Sequence, residues 1–313
     1  MNWKSEGKIM KKILFASTAL VATASVAAAD VTFGGAGRFG LVYDEGLADE
    51  TILDHRIRVN ITGLTETDGG VKFEGRIRLQ AQEDDGFGSN GTGPGGVGFA
   101  VSTGGIRVDV GSVSDVFDSG DVLNWSGFEI GYTAISGQTS NFSGFDRNGF
   151  AGSGDDDNQT IKLRYTAGDF TGSASYSMET GSNGAGAGDA YWQIGGGYNF
   201  GAHNVGVMFG DSDADNQQWA IGVDGSFGDF GYSVLVADND NMDDVAFGAS
   251  GSYTISAATS VNAHISTGGN DANDTAYGVG VSHSLGGGVS LGAGVASNAS
   301  GNTVGDLGVV FNF

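Results

Sequence analysis

The carboxyl-terminal residues constrain the fold most, because they read as an apolar strand with nothing after it. From Asp306 the chain reads DLGVVFNF, and every second residue from Leu307 to Phe313 is bulky and apolar. A strand places such residues on one face, and a terminal strand frays unless a neighbour pairs with it. The natural partner is the first strand. We therefore expect the last and first strands to pair and to close the sheet into a barrel without free edges.

The same alternation continues along nearly the whole chain after residue 30. In one segment Ile57, Val59 and Ile61 share a face, while Arg56 and Arg58 lie on the opposite one. Each such segment is typical of a strand that is apolar on one side only. The pattern predicts an all-β fold of 16 antiparallel strands, near residues 31–43, 52–64, 71–82, 97–102, 106–112, 159–167, 170–178, 190–200, 204–211, 218–227, 230–237, 245–255, 260–266, 275–285, 289–297 and 304–313.

The connections between these segments alternate in length. Short turns such as Gly168-Asp169 and Gly228-Asp229 alternate with longer acidic connections. Short turns on one rim and long loops on the other are typical of a transmembrane β-barrel, in which an even strand count places both termini at the short-turn rim. Trp192 and Phe200 share a face eight residues apart, which is roughly 26 Å along a strand. That spacing fits aromatic residues at both edges of an apolar band about 25 Å tall.

Residues 1–29 have the composition of an export signal. Lys11 and Lys12 precede an apolar stretch, and three alanines, residues 27–29, stand before Asp30. We expect Met10 to be the true start, residues 1–29 to be removed, and residues 30–313 to form the barrel. The apolar stretch is too short and too rich in small residues to span a bilayer, and no later run is long enough for a transmembrane helix.

Composition excludes several classes of partner and chemistry. Without residues 1–29 the chain has ten Lys or Arg and 36 Asp or Glu residues, a net charge of −26. Such a charge opposes binding to nucleic acid. The absence of cysteine excludes disulfides and thiolate chemistry. We expect no cofactor and no enzymatic activity, since the four histidines are scattered and no clustered Ser/His/acid set stands at a strand rim.

One segment has no place in the predicted wall. Residues 112–158, here called the constriction loop, are far longer than any other connection and combine many acidic residues with seven aromatic ones. A loop of this size in a compact domain is usually functional or disordered. Its aromatic residues favour a segment folded against protein, and we expect it to fold into the barrel mouth.

Six of the ten cations after residue 30 fall on the inward face of the first three predicted strands. Turning them outward would place each arginine in lipid, at a cost of about 2–4 kcal/mol near the bilayer centre. The pattern therefore predicts a polar, charged lumen that holds water and ions. These six residues are Arg38, Arg56, Arg58, Lys72, Arg76 and Arg78.

Several stretches resemble the general diffusion porins of Gram-negative bacteria, in particular the α-proteobacterial, Rhodobacter-type porins. They are the start MKKILFASTALVATASVAAADVTFGGAGRFG, the passage STGGIRVDVGSVSDVFD, the NFSGF within the constriction loop and the terminal FNF. The resemblance implies a homotrimer of 16-stranded barrels in the cell outer membrane, in contact with its lipid and lipopolysaccharide. Each barrel would be a water-filled pore for passive diffusion of ions and small hydrophilic solutes, narrowed by an inward-folded third loop.

The resemblance also assigns the two sides of the narrowing. The acidic side would comprise Asp115, Asp118 and Asp121, together with Glu129 of the same loop, and the basic side Arg38, Arg56, Arg58, Arg76 and Arg78. The net negative charge and the acidic loop favour weak cation selectivity. An alternative is a plugged lumen in a structural or adhesive barrel, in which the constriction loop would block the pore rather than narrow it.

Three further motifs match known sites only in part. Gly35-x-Gly37-x-x-Gly40 fits a dinucleotide fingerprint but lies in an alternating strand with no helix after it, and Gly288-x-Ser290-x-Gly292 fails as a nucleophile elbow for the same reason. Two acidic runs are weak candidates for loosely bound calcium, although the spacing lacks the later ligands of a calcium loop. These runs are Asp155, Asp156 and Asp157, and Asp211, Asp213 and Asp215.

Overall fold

The computed structural model describes residues 30–82, 93–150, 159–178 and 189–313. The predicted signal at residues 1–29 lies outside this part of the chain. Consecutive strands pair antiparallel around one sheet. The strands are β1 (Asp30–Asp44), β2 (Thr51–Glu66), β3 (Lys72–Gln82), β4 (Gly93–Pro94), β5 (Gly98–Thr103), β6 (Ile106–Gly111), β7 (Thr160–Ala167), β8 (Phe170–Ser177), β9 (Tyr191–Asn199), β10 (His203–Ser212), β11 (Gln218–Phe227), β12 (Phe230–Asn239), β13 (Asp244–Ser256), β14 (Thr259–Gly269), β15 (Ala276–Gly286), β16 (Val289–Ser297) and β17 (Thr303–Asn312).

The wall has 16 strand positions because β4 and β5 share one. Both pair with β3, β4 opposite Leu79 and Gln80 and β5 opposite the stretch from Lys72 to Arg76. The predicted fold class and strand count are confirmed. The boundaries agree closely, the largest shift being at the end of β14, which reaches Gly269 rather than residue 266. The two-residue strand β4 was not predicted.

The barrel closes between its first and last strands, as predicted. β17 pairs with β1 from Ala36 opposite Asn312 to Asp44 opposite Val304. Apart from the two-residue β4, which pairs with β3, each described strand pairs on both sides, so the described wall offers no long backbone edge to another chain. The predicted two-residue turns are also present. Gly168 and Gly228 adopt φ angles of +58° and +59°, a left-handed conformation that costs glycine little.

The outer surface is apolar along the strands. Outward residues such as Leu307, Ile194 and Val279 are more than half exposed, and their inward neighbours in sequence are small or polar. Trp192 and Phe200 both lie on this surface. Among the described residues there is no helix of the length and apolarity needed to span a membrane. The apolar surface is therefore built by alternation in strands, as the sequence pattern predicted.

The largest apolar core of the described chain lies inside the barrel rather than within its wall. Phe117 and Trp125 of the constriction loop are buried, with ring centroids 5.4 Å apart in an edge-on arrangement. Met208 and Leu235 of the wall complete the same cluster, and Phe142 and Phe145 pack against it. Burial of aromatic area drives this folding. The prediction that the loop folds into the barrel is thus confirmed for residues 112–150.

Candidate functional site

Inward glycines on the wall make room for the constriction loop. A Cβ atom on Gly197 or Gly206 would lie 2.5 or 2.4 Å from the carbonyl oxygen of Val122, and one on Gly248 would lie 2.0 Å from the Gln138 carbonyl oxygen. No side chain tolerates such distances, so these positions allow the loop backbone to approach the wall directly. Six inward glycines that lie against the loop are called here the glycine bed: Gly197, Gly206, Gly248, Gly292, Gly294 and Gly308, of which the last faces the Tyr132 ring.

Polar anchors fix the loop on the same side. The backbone N–H of Asn141 donates to the Ser266 hydroxyl at 3.0 Å, and that of Phe128 donates to the Ser250 hydroxyl at 2.9 Å. Near the loop tip, the backbone and hydroxyl of Thr133 both donate to Asp306 at 2.8 Å. These partners belong to β13, β14 and β17. The loop therefore lies along the wall from β9 to β17.

Asp115 does not line the lumen, which corrects its assignment to the acidic side. Its carboxylate is fully buried at the start of the short helical turn Val116–Ser119. It accepts hydrogen bonds from Tyr191 Oη at 2.8 Å, from Gln193 Nε2 at 3.2 Å, and from the backbone N–H groups of Asp118 and Asn148. Burial raises its pKa to about 6, although these hydrogen bonds act in the opposite direction. Asp115 anchors the loop.

Asp121 has a second structural role. Its two carboxylate oxygens accept from Lys162 Nζ and Arg164 Nη1, each at 2.7 Å, and only 7% of the Asp121 side chain is exposed. The charge of this residue is therefore neutralised by cations of β7. Neither cation was predicted to face the lumen, although Lys162 and Arg164 alternate with Ile161 and Leu163 as inward residues should.

Two acidic residues of the loop present free carboxylates to water. Asp118 and Glu129 are exposed, and neither carboxylate has a salt bridge or accepts a hydrogen bond within the described chain. The Glu129 backbone carbonyl accepts from Asn262 Nδ2 at 3.1 Å, which ties this part of the loop to β14. Of the four predicted acidic residues, these two are the exposed ones without an ion pair in the described chain.

The predicted basic residues lie on the inner face of β1, β2 and β3. Arg38 pairs with buried Asp54 at 2.9 Å. Arg58 donates to the Gln80 amide oxygen, and Arg78 donates to Asn60 Oδ1 at 3.0 Å. The remaining two, Arg56 and Arg76, are half-buried on the same inner face.

Phe150, near the end of the described loop, stacks on this basic face. The guanidinium carbons of Arg76 and Arg78 lie 3.7 and 4.6 Å from its ring centroid. A further inward cation was missed: Arg107 of β6 pairs with Asp109 at 2.9 Å and with Glu74 at 3.2 Å. The alternation of Arg107 and Asp109 with Val108 was the available signal. The inner wall thus carries paired and unpaired cations side by side.

Of the calcium candidates, Asp211, Asp213 and Asp215 fall within the described residues. Asp155, Asp156 and Asp157 lie outside the described residues. Within the described ranges, no group of three or more His, Cys, Asp or Glu residues is arranged to hold a metal ion. This includes Asp211, Asp213 and Asp215, of which the last has a positive φ of 58°. The two glycine motifs lie in β1 and at the start of β16, where neither meets a helix.

Comparison with known proteins decides the family. A family model described as Gram-negative porin matches residues 16–303. The chain belongs to the Gram-negative porin family. A porin of Fuscovulum blasticum is 30% identical over 302 residues, with 91% of this chain and all of that protein covered. A porin of Rhodobacter capsulatus is 27% identical over 321 residues, with the same coverage of both chains.

Solved structures agree with this assignment. A variant of the Rh. blastica porin superposes with a TM-score of 0.76 at 27% identity, covering 91% of this chain and all of that one. The predicted resemblance to α-proteobacterial, Rhodobacter-type porins is confirmed. This porin is therefore a channel of the Gram-negative outer membrane, not an enzyme, and its pore serves passive diffusion of ions and small solutes.

Proposed function

We propose that the pore of this protein is narrowest between the constriction loop on one side and the arginines of β2 and β3 on the other. The observation that supports this proposal is the position of the loop, which lies on the glycine bed of β9 to β17, while the arginines on the inner face of β2 and β3 stay partly exposed. The lumen is narrowed and not plugged. The acidic side consists of Asp118 and Glu129, and the basic side of Arg56, Arg58, Arg76 and Arg78, with Arg38 held by Asp54.

The pore is weakly cation-selective in this proposal. Apart from the constriction loop, the long connections contain no Lys or Arg, and those between β1 and β2, β12 and β13, and β14 and β15 are acidic. A negative mouth raises the local concentration of cations. The arginines opposite the loop oppose this locally, so the preference is small. It decreases in concentrated salt, where the Debye length falls to about 3 Å at 1 M.

Single-channel recording tests the narrowed pore against the plugged alternative. Purified protein in planar bilayers should give stable conductance steps in KCl. A folded, heat-modifiable barrel that gives no steps would support the plugged lumen. A comparison of the conductance in KCl with that in a salt of a larger organic ion separates an open lumen from leakage around the barrel.

Three barrels form the functional unit in this proposal, as the family resemblance implies, and the trimer lies in outer-membrane lipid and lipopolysaccharide. Chemical cross-linking of outer-membrane fractions should give a trimer band that survives boiling, whereas the trimer band of fractions without cross-linker should collapse to the monomer on boiling. Amino-terminal sequencing of the same protein should begin at Asp30, as expected for removal of residues 1–29. A band at the dimer position only would contradict the trimer.

A further inference from the structure

The cations of the inner wall divide into two groups by their partners. Arg38, Arg107, Lys162 and Arg164 each contact a carboxylate within 4 Å. Lys72 and four arginines make no ion pair with any carboxylate of the described chain, and these four arginines are called here the arginine face. The arginine face consists of Arg56, Arg58, Arg76 and Arg78.

These four guanidinium groups lie close together. On β2, Arg56 and Arg58 are two residues apart and therefore share a face. In the β2–β3 register Arg58 lies opposite Gln80 and Arg78 opposite Asn60, so Arg58 and Arg78 are diagonal neighbours, within reach of long side chains. Arg76 lies two residues before Arg78 on β3 and therefore on the same face. Like charges this close repel one another, and an anion between them would lower the energy.

Within the described part of the chain, neutral partners occupy only a few of the donors of the arginine face. Each guanidinium has five N–H groups. Arg58 uses one on the Gln80 amide, and Arg78 uses one on Asn60 Oδ1 at 3.0 Å and another on the Phe150 carbonyl at 3.4 Å. No hydrogen bond within the described residues occupies the guanidinium of Arg56. A site with many such donors, whose guanidinium groups form no ion pair within the described chain, is suited to an oxyanion.

The Phe150 ring orients the guanidinium groups of Arg76 and Arg78. Its ring lies 3.7 Å from the guanidinium carbon of Arg76 and 4.6 Å from that of Arg78. Stacking on an aromatic face engages the plane of a guanidinium and leaves the N–H groups along its edge free. Phe150 is therefore a positioning residue for the arginine face.

We propose that the arginine face is a transient binding site for solutes that carry a phosphate group, a proposal that rests on the proposed narrowed pore. A phosphate presents several oxygens and close to two negative charges near neutral pH, and so engages two or more guanidinium groups at once. A carboxylate has only two oxygens and one charge. Phosphate-bearing solutes that pass the acidic mouth are thus retained at the narrowing, whereas chloride is held more weakly.

Inorganic phosphate is the probe for this site. Single channels are recorded in about 0.1 M NaCl, where screening extends over about 10 Å, while sodium phosphate at pH 7.5 replaces NaCl at constant ionic strength. Wild-type conductance should fall in a saturable way as phosphate fills the site. In the double variant Arg56→Gln/Arg58→Gln the half-saturating concentration should rise about tenfold, since each charge-assisted hydrogen bond contributes strongly to binding.

Matched variants separate this site from general charge effects. Arg107→Gln removes an inward cation that is already paired with Glu74 and Asp109, and should leave the half-saturating concentration within about twofold of wild type. Phe150→Leu, which keeps every charge, should weaken the phosphate effect. Heat modifiability checks that each variant is a folded barrel.

The possible results of the phosphate experiment distinguish the oxyanion site from the proposed pore. Channels whose conductance does not depend on phosphate contradict the oxyanion site and leave the proposed pore intact. Equal loss of the phosphate effect in Arg107→Gln also contradicts it, because the effect would then follow total charge. Folded wild-type protein without channels contradicts the narrowed pore and this site together.

Discussion

The backbone of Phe313 is hydrogen-bonded twice to that of Gly35. The Gly35 N–H donates to the Phe313 carbonyl at 2.8 Å, and the Phe313 N–H donates to the Gly35 carbonyl at 3.0 Å. The last residue of the chain therefore completes the seam of the barrel. Its ring projects outward, 58% exposed, with its centroid 6.1 Å from that of Phe311. Phe313 therefore has two roles: its backbone closes the barrel, and its ring contributes to the apolar outer surface.

Deleting Phe313 should reduce barrel assembly more than replacing it by serine. The deletion removes both hydrogen bonds to Gly35, each worth about 1 kcal/mol, whereas Phe313→Ser removes the outward ring alone. The measurement is the amount of heat-modifiable protein in outer-membrane fractions. Phe33→Ser is the control, because Phe33 of β1 is also an exposed aromatic residue but is not at the terminus. Wild-type levels for the deletion would show that the seam does not limit assembly.

Adding one methyl group to the glycine bed should disturb the constriction loop. In Gly248→Ala the new Cβ meets the Gln138 carbonyl oxygen at 2.0 Å, so the loop must shift toward the lumen. We expect a loss of about 1–3 kcal/mol, seen as a lower thermal midpoint, and a changed single-channel conductance. Gly63→Ala is the matched control, since nothing lies within 4 Å of that position. Identical conductance in both variants would mean that the loop does not rest on this glycine.

Asp121→Asn should destabilise the barrel more than Asp118→Asn. The first change leaves the cations of Lys162 and Arg164 without their shared carboxylate, and loss of one partner from a buried ion pair costs about 3–5 kcal/mol. Partial exposure of Arg164 places the effect toward the lower end. Asp118 is exposed, so its loss should be nearly neutral for stability. Thermal unfolding in detergent measures both, and equal midpoints would contradict the assigned role of Asp121.

The raised pKa of Asp115 predicts a pH dependence of stability. The pKa of the Asp115 carboxyl is about 6 in the folded protein, above its value in the unfolded chain. Such a group stabilises the folded state at a pH low enough for it to be protonated in both states. This contribution is full below its unfolded pKa, near 3.9, and is lost as pH rises through about 6. The midpoint difference between wild type and Asp115→Asn should therefore shrink from pH 4 to pH 7. A difference that grows with pH would show that the hydrogen bonds to Asp115 outweigh its burial.

The wall of this porin was predictable from the sequence because alternation and turn residues are local signals. Ile57 and Arg56 lie on opposite faces because successive side chains of a strand point to opposite sides of the sheet, and this needs only the identity of two adjacent residues. The same logic identified the seam, since a strand that ends at Phe313 must pair with something. Arg107, Lys162 and Arg164 obeyed the alternation too, and applying it to β6 and β7 would have placed them in the lumen.

The roles of the acidic residues were not predictable in the same way. Asp115, Asp118 and Asp121 are three residues apart from one to the next, yet one is buried, one is exposed and one is ion-paired. Their differences depend on Tyr191, Gln193 and Lys162, which the barrel brings close only once it is closed. The glycine bed had a compositional signal in the 58 glycines of the chain. Which of them contact the loop depends on the three-dimensional path of that loop.

The reversal potential in a KCl gradient tests the narrowed pore most directly. Wild-type protein in planar bilayers should be weakly cation-selective. Asp118→Asn combined with Glu129→Gln should shift the reversal potential toward anions, and Arg56→Gln combined with Arg58→Gln should shift it toward cations. Opposite shifts of this kind place both groups beside the ion path. An unchanged reversal potential in both double variants would contradict the account, because the narrowest part of the pore would then lie elsewhere.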